Sequence, residues 1–208
     1  MNYIEHEGTT YKIEGQFFVI NNKKIPLESL YNFTYDDANF NGSGNVYLNI
    51  KCKESSDIVI SSSEFTLFQT ANAAAQADAK RQKIISILDM LYPFIMKTFI
   101  AERIKLLQEG KTFTLCKMRF SKSGITMRPR VYFWLTEIFV PYKYAFIETI
   151  YRKIGLSGVK GYYQEFRLEN YMSNEVHKYS ISSYHQPKPS DVLKAKELVN
   201  YIVQNNLF

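Results

Sequence analysis

The stretch Ala71–Glu109 decides most of what this chain can fold into, because it is the one long helical run among short strand-like segments. Thr70 or Asn72 can cap its start by accepting a hydrogen bond from the first turn, and five alanines between Ala73 and Ala79 carry the highest helix propensity. From there Ile84, Leu88, Leu91, Ile95 and Phe99 recur at steps of three or four, which predicts one buried face. Ile85, Tyr92 and Met96 add a second apolar stripe, so more than one side of the helix is expected to be covered. Pro93 lacks an N–H and clashes one turn back, which predicts a kink or break there. Gly110 is the expected stop. A membrane span over the same residues would carry Asp89 and Lys97 into the bilayer, each at roughly 2.5–3.5 kcal/mol. A helix wedged between two sheets accounts for the pattern at lower cost.

Ahead of this helix the alternation predicts strands at Thr10–Ile13, Gln16–Ile20, Lys23–Leu27, Leu30–Tyr35, Val46–Cys52 and Ile58–Ser62. Asn21-Asn22 supplies a turn, and the Asn/Gly-rich Asp36–Asn45 is expected to be a long one. After it come Thr112–Phe120 and Gly124–Arg128, as a hairpin over Ser121–Ser123, then Phe133–Val140, Ala145–Ile150, Tyr162–Leu168 and Val176–Ser182. Ser190 is placed to cap a closing helix over residues 190–205, with Val192, Ala195, Leu198, Val199 and Ile202 on its apolar face. The abundance of aromatics, 16 Tyr and 15 Phe, suits strands and a sizeable core. The expected fold class is α+β, in two units of antiparallel strands, 1–110 and 111–208, each closed by a C-terminal helix and joined through the long helix at 71–109. No residue-level repeat accompanies this repeated order of elements.

That order resembles the pleckstrin-homology-like (PH-like) superfamily, and two such units would cover nearly the whole chain. In members that bind inositol phosphates the first hairpin carries a Lys, a gap, then Lys/Arg-x-Arg. Here Lys117-Met118-Arg119 is followed by Arg128-Pro129-Arg130, with Lys122 near the turn. The resemblance implies an anion-binding cluster of Lys117, Arg119, Lys122, Arg128 and Arg130. It equally implies an interaction or assembly module, the role of most bacterial members. Strand alternation would set Lys117 and Arg119 on one face, and Arg128 and Arg130 on one face.

Charge is unevenly divided. Residues 1–110 hold 11 Lys+Arg against 13 Asp+Glu, a net −2, and residues 111–208 hold 15 against 7, a net +8. The second half is therefore expected to meet something anionic, or the acidic first half, unless it is simply a solvated basic surface. Within it, residues 111–167 hold 11 basic and 3 acidic residues among many aromatics, which keeps a nucleic-acid surface in view. Lys160–Phe166 departs from the RNA-recognition strand pattern at Tyr163, Gln164 and Glu165, and is expected to be an ordinary half-buried strand. Asp37–Gly42 matches half of a calcium loop, but Leu48 stands where the bidentate Glu is needed, so a hairpin turn is expected.

No catalytic residue, metal site or cofactor is expected. The histidines, His6, His177 and His185, have no ligand spacing, and no Walker loop, dinucleotide fingerprint or G-x-S-x-G occurs. Cys52 and Cys116 cannot make a disulfide framework, and the first residues lack a basic segment followed by an apolar one. The expectation is a cytoplasmic, non-enzymatic binding module. Its partner would be a protein first, an anionic membrane surface second and nucleic acid third.

Overall fold

Why these segments become sheets and helices is visible in a computed structural model, which describes residues 3–40, 43–64, 71–127, 137–156, 159–170, 177–180 and 189–208. The chain is α+β and divides into two compact units, Met1–Glu102 and Arg103–Phe208. The division falls inside the long helix rather than after Gly110.

Unit 1 opens with an antiparallel meander of β1 (Tyr3–His6), β2 (Thr9–Glu14), β3 (Phe17–Ile20) and β4 (Lys23–Pro26). β1 was not expected; the others match the alternation. Pro26, at φ −60, then starts a single 3-10 turn, Leu27–Ser29, which redirects the chain into a second sheet. That sheet is β5 (Leu30–Phe40), β6 (Ser43–Cys52) and β7 (Ile58–Glu64). β5 and β6 stay paired out to Phe40↔Ser43, so most of the segment expected to be a long turn is strand. Continued cross-strand pairing has outweighed local turn chemistry. Only Asn41-Gly42, outside the described residues, separates the two strands.

α1 (Ala71–Gln108) follows. It runs unbroken through Pro93, so the expected break does not occur. Pro93 lies on the exposed side, where water can satisfy the carbonyl that its missing N–H leaves over. Asn72 is already helical and is not the cap; Thr70 lies outside the described residues. The expected stripe is the buried one: Ile84, Leu88, Leu91, Ile95 and Phe99 are all in the core, joined by Ile87 and Met96. Tyr92 meets Phe33 of β5 edge to face at 6.0 Å. The opposite side, with Lys83, Asp89, Phe94 and Lys97, is exposed, so over this stretch one face is covered and not two. Past Glu102 the buried positions are Ile104 and Leu107. At 3.6 residues per turn these lie about 140–200° round the helix from Ile84. Gly110, at φ +74, closes α1: its N–H donates to the Leu107 carbonyl and that of Lys111 to the Leu106 carbonyl, both near 3 Å. This paired pattern is the Schellman stop.

Unit 2 repeats the plan. The meander is β8 (Phe113–Leu115), β9 (Met118–Ser121), β10 (Gly124–Met127) and β11 (Ile138–Val140). Pro141, at φ −61, starts a 3-10 turn, Tyr142–Tyr144, as Pro26 does in unit 1. Then come β12 (Ala145–Leu156), β13 (Val159–Asn170) and β14 (His177–Ser180) in a second antiparallel sheet. β12 and β13 are far longer than the expected Ala145–Ile150 and Tyr162–Leu168. α2 (Pro189–Gln204) ends the unit, and all five residues of its expected apolar face are buried. Ser190 is not its cap: the helix starts one residue earlier at Pro189, where a missing N–H costs nothing. α2 stops as α1 does, with Asn206 at φ +48 and the Leu207 N–H donating to the Ile202 carbonyl at 3.0 Å.

One strand expectation needs correction in unit 2. Thr112–Phe120 is not one strand. It folds back at Cys116-Lys117, both in the left-handed region at φ +52 and +60. Two-residue hairpin loops need that geometry because it matches the strand twist, and Glu7-Gly8 supplies it in unit 1. Of the expected Phe133–Val140, residues 133–136 lie outside the described residues, and the strand over the rest is Ile138–Val140.

Candidate functional site

Of the basic residues singled out from the sequence, Lys117, Arg119 and Lys122 fall on β9 and its flanking turns in unit 2, and the turn at Cys116-Lys117 decides how they are arranged. Lys117 sits in the β8–β9 turn and Lys122 in the β9–β10 turn, both exposed. They stand at opposite ends of the four-residue β9, roughly 15 Å apart at the rise of a strand. Lys117 therefore does not share a strand face with Arg119. Arg128 and Arg130 lie outside the described residues.

Arg119 is on the outer face of β9. Register sets Thr114, Arg119, Thr126 and Phe139 in one row across the four strands. The row is polar and half-open, with Phe139 46% exposed at its end. The Arg119 guanidinium lies 3.8 Å from the Glu137 carboxylate. Both partners are more than two-fifths exposed, so this pair contributes at most about 1 kcal/mol. It does place a carboxylate beside a cation that was expected to receive phosphate. The opposite row, Phe113, Phe120, Ile125 and Val140, faces the core, with Phe113 and Phe120 stacked at 5.1 Å. Arg103 lies over the Phe113 ring at 5.2 Å.

A charged cluster that the sequence reading missed lies beneath this sheet. Lys194 of α2 is 2% exposed and pairs with Asp191 at 2.7 Å. The only signal for it in the sequence is the i,i+3 spacing of opposite charges, which is common on solvated helices. Burial pushes the neighbouring Cys116 thiol well above its ordinary range, and Asp191 reinforces the shift. A thiol held protonated is a poor nucleophile. In unit 1, burial likewise raises Cys52, and His6 is buried on β1. His177 is on β14, while His185 lies outside the described residues.

Among the described residues no group of three or more His, Cys, Asp or Glu side chains could hold a metal ion. Exposed large apolar side chains occur on several elements: Tyr3 and Phe17 on the first meander, Tyr47 and Val59 on the β5–β7 sheet, Phe94 on α1, Phe139 and Phe146 on β11 and β12, and Leu193, Tyr201 and Val203 on α2 with Phe208 after it. Register makes Tyr47 and Val59 diagonal neighbours, close enough to form one small patch. Asp78–Gln108 is long enough to cross a membrane and contains an 18-residue window of mean hydropathy 1.6, and it also carries the stripe that is buried in unit 1. No family model, curated protein or solved structure matches the chain.

Proposed function

We propose that the chain is a non-enzymatic binding module of two PH-like units, cytoplasmic in location, whose partner is a protein. Support for the PH-like reading is the order of elements, twice over: a four-stranded meander, a proline-led 3-10 turn, a three-stranded meander and a helix. The free, buried thiols of Cys52 and Cys116 suit a reducing compartment.

The observation that favours a protein over a phosphate-bearing ligand is the separation of Lys117 from Lys122 by the length of β9, with Glu137 beside Arg119. Phosphate recognition needs cations that converge on the same oxygens. A second reading, an anionic membrane surface or nucleic acid, rests on the net +8 of residues 111–208.

Salt separates the two, because phosphate binding weakens steeply with salt and an apolar interface does not. The test is binding of the purified chain to phosphatidylserine vesicles and to a mixed nucleic-acid pool, at low and moderate salt, beside Arg128→Ala/Arg130→Ala. The protein reading expects neither probe to bind at low salt. Salt-sensitive binding that the double variant loses would replace it with the anionic reading.

A further inference from the structure

α1 is more apolar than its place in unit 1 requires. Of the 18-residue window that makes Asp78–Gln108 apolar enough to span a membrane, only 39% is buried. The side turned away from the unit 1 core carries Ser86, Asp89, Met90, Phe94, Lys97 and Ala101, all exposed except the half-buried Met90. Phe94 is 37% exposed. The hydroxyls flanking this side are already satisfied. Ser86 donates to the Gln82 carbonyl at 2.8 Å and Thr98 to the Phe94 carbonyl at 3.3 Å, each one turn back along the helix. A neighbour can cover such groups without breaking a hydrogen bond.

The spacing selects the kind of neighbour. Lys83, Met90, Phe94, Lys97 and Ala101 follow one another at steps of seven, four, three and four, the narrow seam by which one helix packs on another. A bilayer surface takes a broader apolar face than this.

The seam is also complementary to its own reverse. In an antiparallel pair with its two-fold axis level with Tyr92, Met90 faces Phe94 of the second copy and Lys83 faces Ala101, each twice by symmetry. A thioether against an aromatic ring is a favourable contact. Such an axis keeps each flank of the seam beside the same flank of the other copy. Asp89 and Lys97 lie on one flank, and in this register the two are offset by about 3 Å along the axis, within reach of a lysine side chain. Ile87 is level with Lys97 of the second copy but lies on the other flank, in the unit 1 core. Within one helix Asp89 and Lys97 are roughly 12 Å apart along the axis and cannot pair with each other. A parallel two-fold would instead set Lys83 against Lys83 and Lys97 against Lys97. Charge therefore selects the antiparallel arrangement.

We infer that the outer side of α1, from Lys83 to Ala101, is a homodimer interface, in which two copies pack antiparallel through Met90 and Phe94 with Asp89–Lys97 ion pairs between them. A two-fold contact of this kind is closed and does not propagate. Two helices meeting over about five turns bury a small area, so the dimer should form at roughly tens of micromolar and dissociate on dilution. The inference rests on the reading of the chain as a protein-binding module, and names one partner.

The experiment is sedimentation equilibrium on the full chain across concentrations that bracket that value, with far-UV circular dichroism to confirm folding. Wild type is expected to dimerise. Phe94→Glu, Asp89→Lys and Lys97→Asp should each weaken the dimer by about tenfold or more, and Asp89→Lys/Lys97→Asp should restore it. Direction is read from a nitroxide on Lys83→Cys, which takes the label because Cys52 and Cys116 are buried. In the antiparallel register the two labels stand roughly 27 Å apart along the axis; in a parallel pair they stand side by side. Overturning results are a wild-type monomer, a dimer indifferent to Phe94→Glu or to all three charge variants, or labels closer than about 15 Å. A monomer would remove the α1 pairing and leave a different protein partner in place, whereas failure of the module reading would appear as salt-sensitive binding to phosphatidylserine vesicles.

Discussion

Gly124 opens β10 at φ +155, and a Cβ built there would lie 2.4 Å from the Val140 carbonyl oxygen and 2.9 Å from the Pro141 Cα. Both neighbours are backbone of the β11 edge and its proline corner, so neither can swing aside as a long side chain would. Gly124→Ala must therefore push β11 away from β10 or distort the turn beside it. Overpacking of this kind costs about 1–3 kcal/mol, and holding an L-residue in an uncommon backbone region adds roughly 1–3 kcal/mol. The expected loss is at least about 2 kcal/mol. Gly110→Ala is the control, because φ is +74 but nothing lies within 4 Å of the added carbon. It should cost about 1 kcal/mol, from backbone conformation alone. Urea unfolding followed by circular dichroism and by emission of Trp134, which falls in unit 2, measures both. If Gly124→Ala stays within about 0.5 kcal/mol of wild type, or is no worse than Gly110→Ala, the close approach of β11 is refuted.

Other outcomes follow from the same geometry. Leu91→Ala on the buried side of α1 should destabilise unit 1 by about 2–5 kcal/mol, while Phe94→Ala, 37% exposed, should cost under about 1 kcal/mol; equal losses in chemical unfolding would contradict the assigned face. Native Cys116 should resist maleimide at pH 8 and label only on unfolding, because burial raises its pKa. Its folded pKa is raised above the ordinary 9.0, so the associated stability is complete below pH 9 and is lost as pH climbs toward the folded value. Cys116→Ala should flatten that alkaline decline, and an unchanged slope would count against the thiol.

Both helix faces were legible because a period of 3.6 over many residues is hard to mimic: Ile84 to Phe99 and Val192 to Ile202 are buried as their spacing implies. The Asn21-Asn22 turn was legible from residue chemistry, with Asn21 at φ +51 and its side chain accepting from the Thr10 N–H at 2.9 Å. Cys116-Lys117 was not, since neither residue ordinarily adopts positive φ. A turn hidden in strand-like residues made one strand of two and set Lys117 on a strand instead of in the turn. Asp36–Phe40 misled in the opposite sense, because turn-forming residues were carried into strand by their partners on β6. The corners at Pro26 and Pro141 form a residue-level repeat that sequence comparison passed over: one proline before a three-residue turn is too short a signal to separate from chance.

The place of the buried stripe along α1 also governs when unit 1 can finish folding as the chain is made. Strands β1 to β7 end at Glu64, yet the stripe that covers them runs from Ile84 to Phe99. At about 5–20 residues per second, a nascent chain waits several seconds between its last unit 1 strand and the residues that close its core. Release at Glu102 would satisfy that core but sever the helix before its Gly110 stop. A protease or a premature stop within 103–110 would thus fray the end of α1, so unit 1 cut there is expected to be less stable than its completed core suggests.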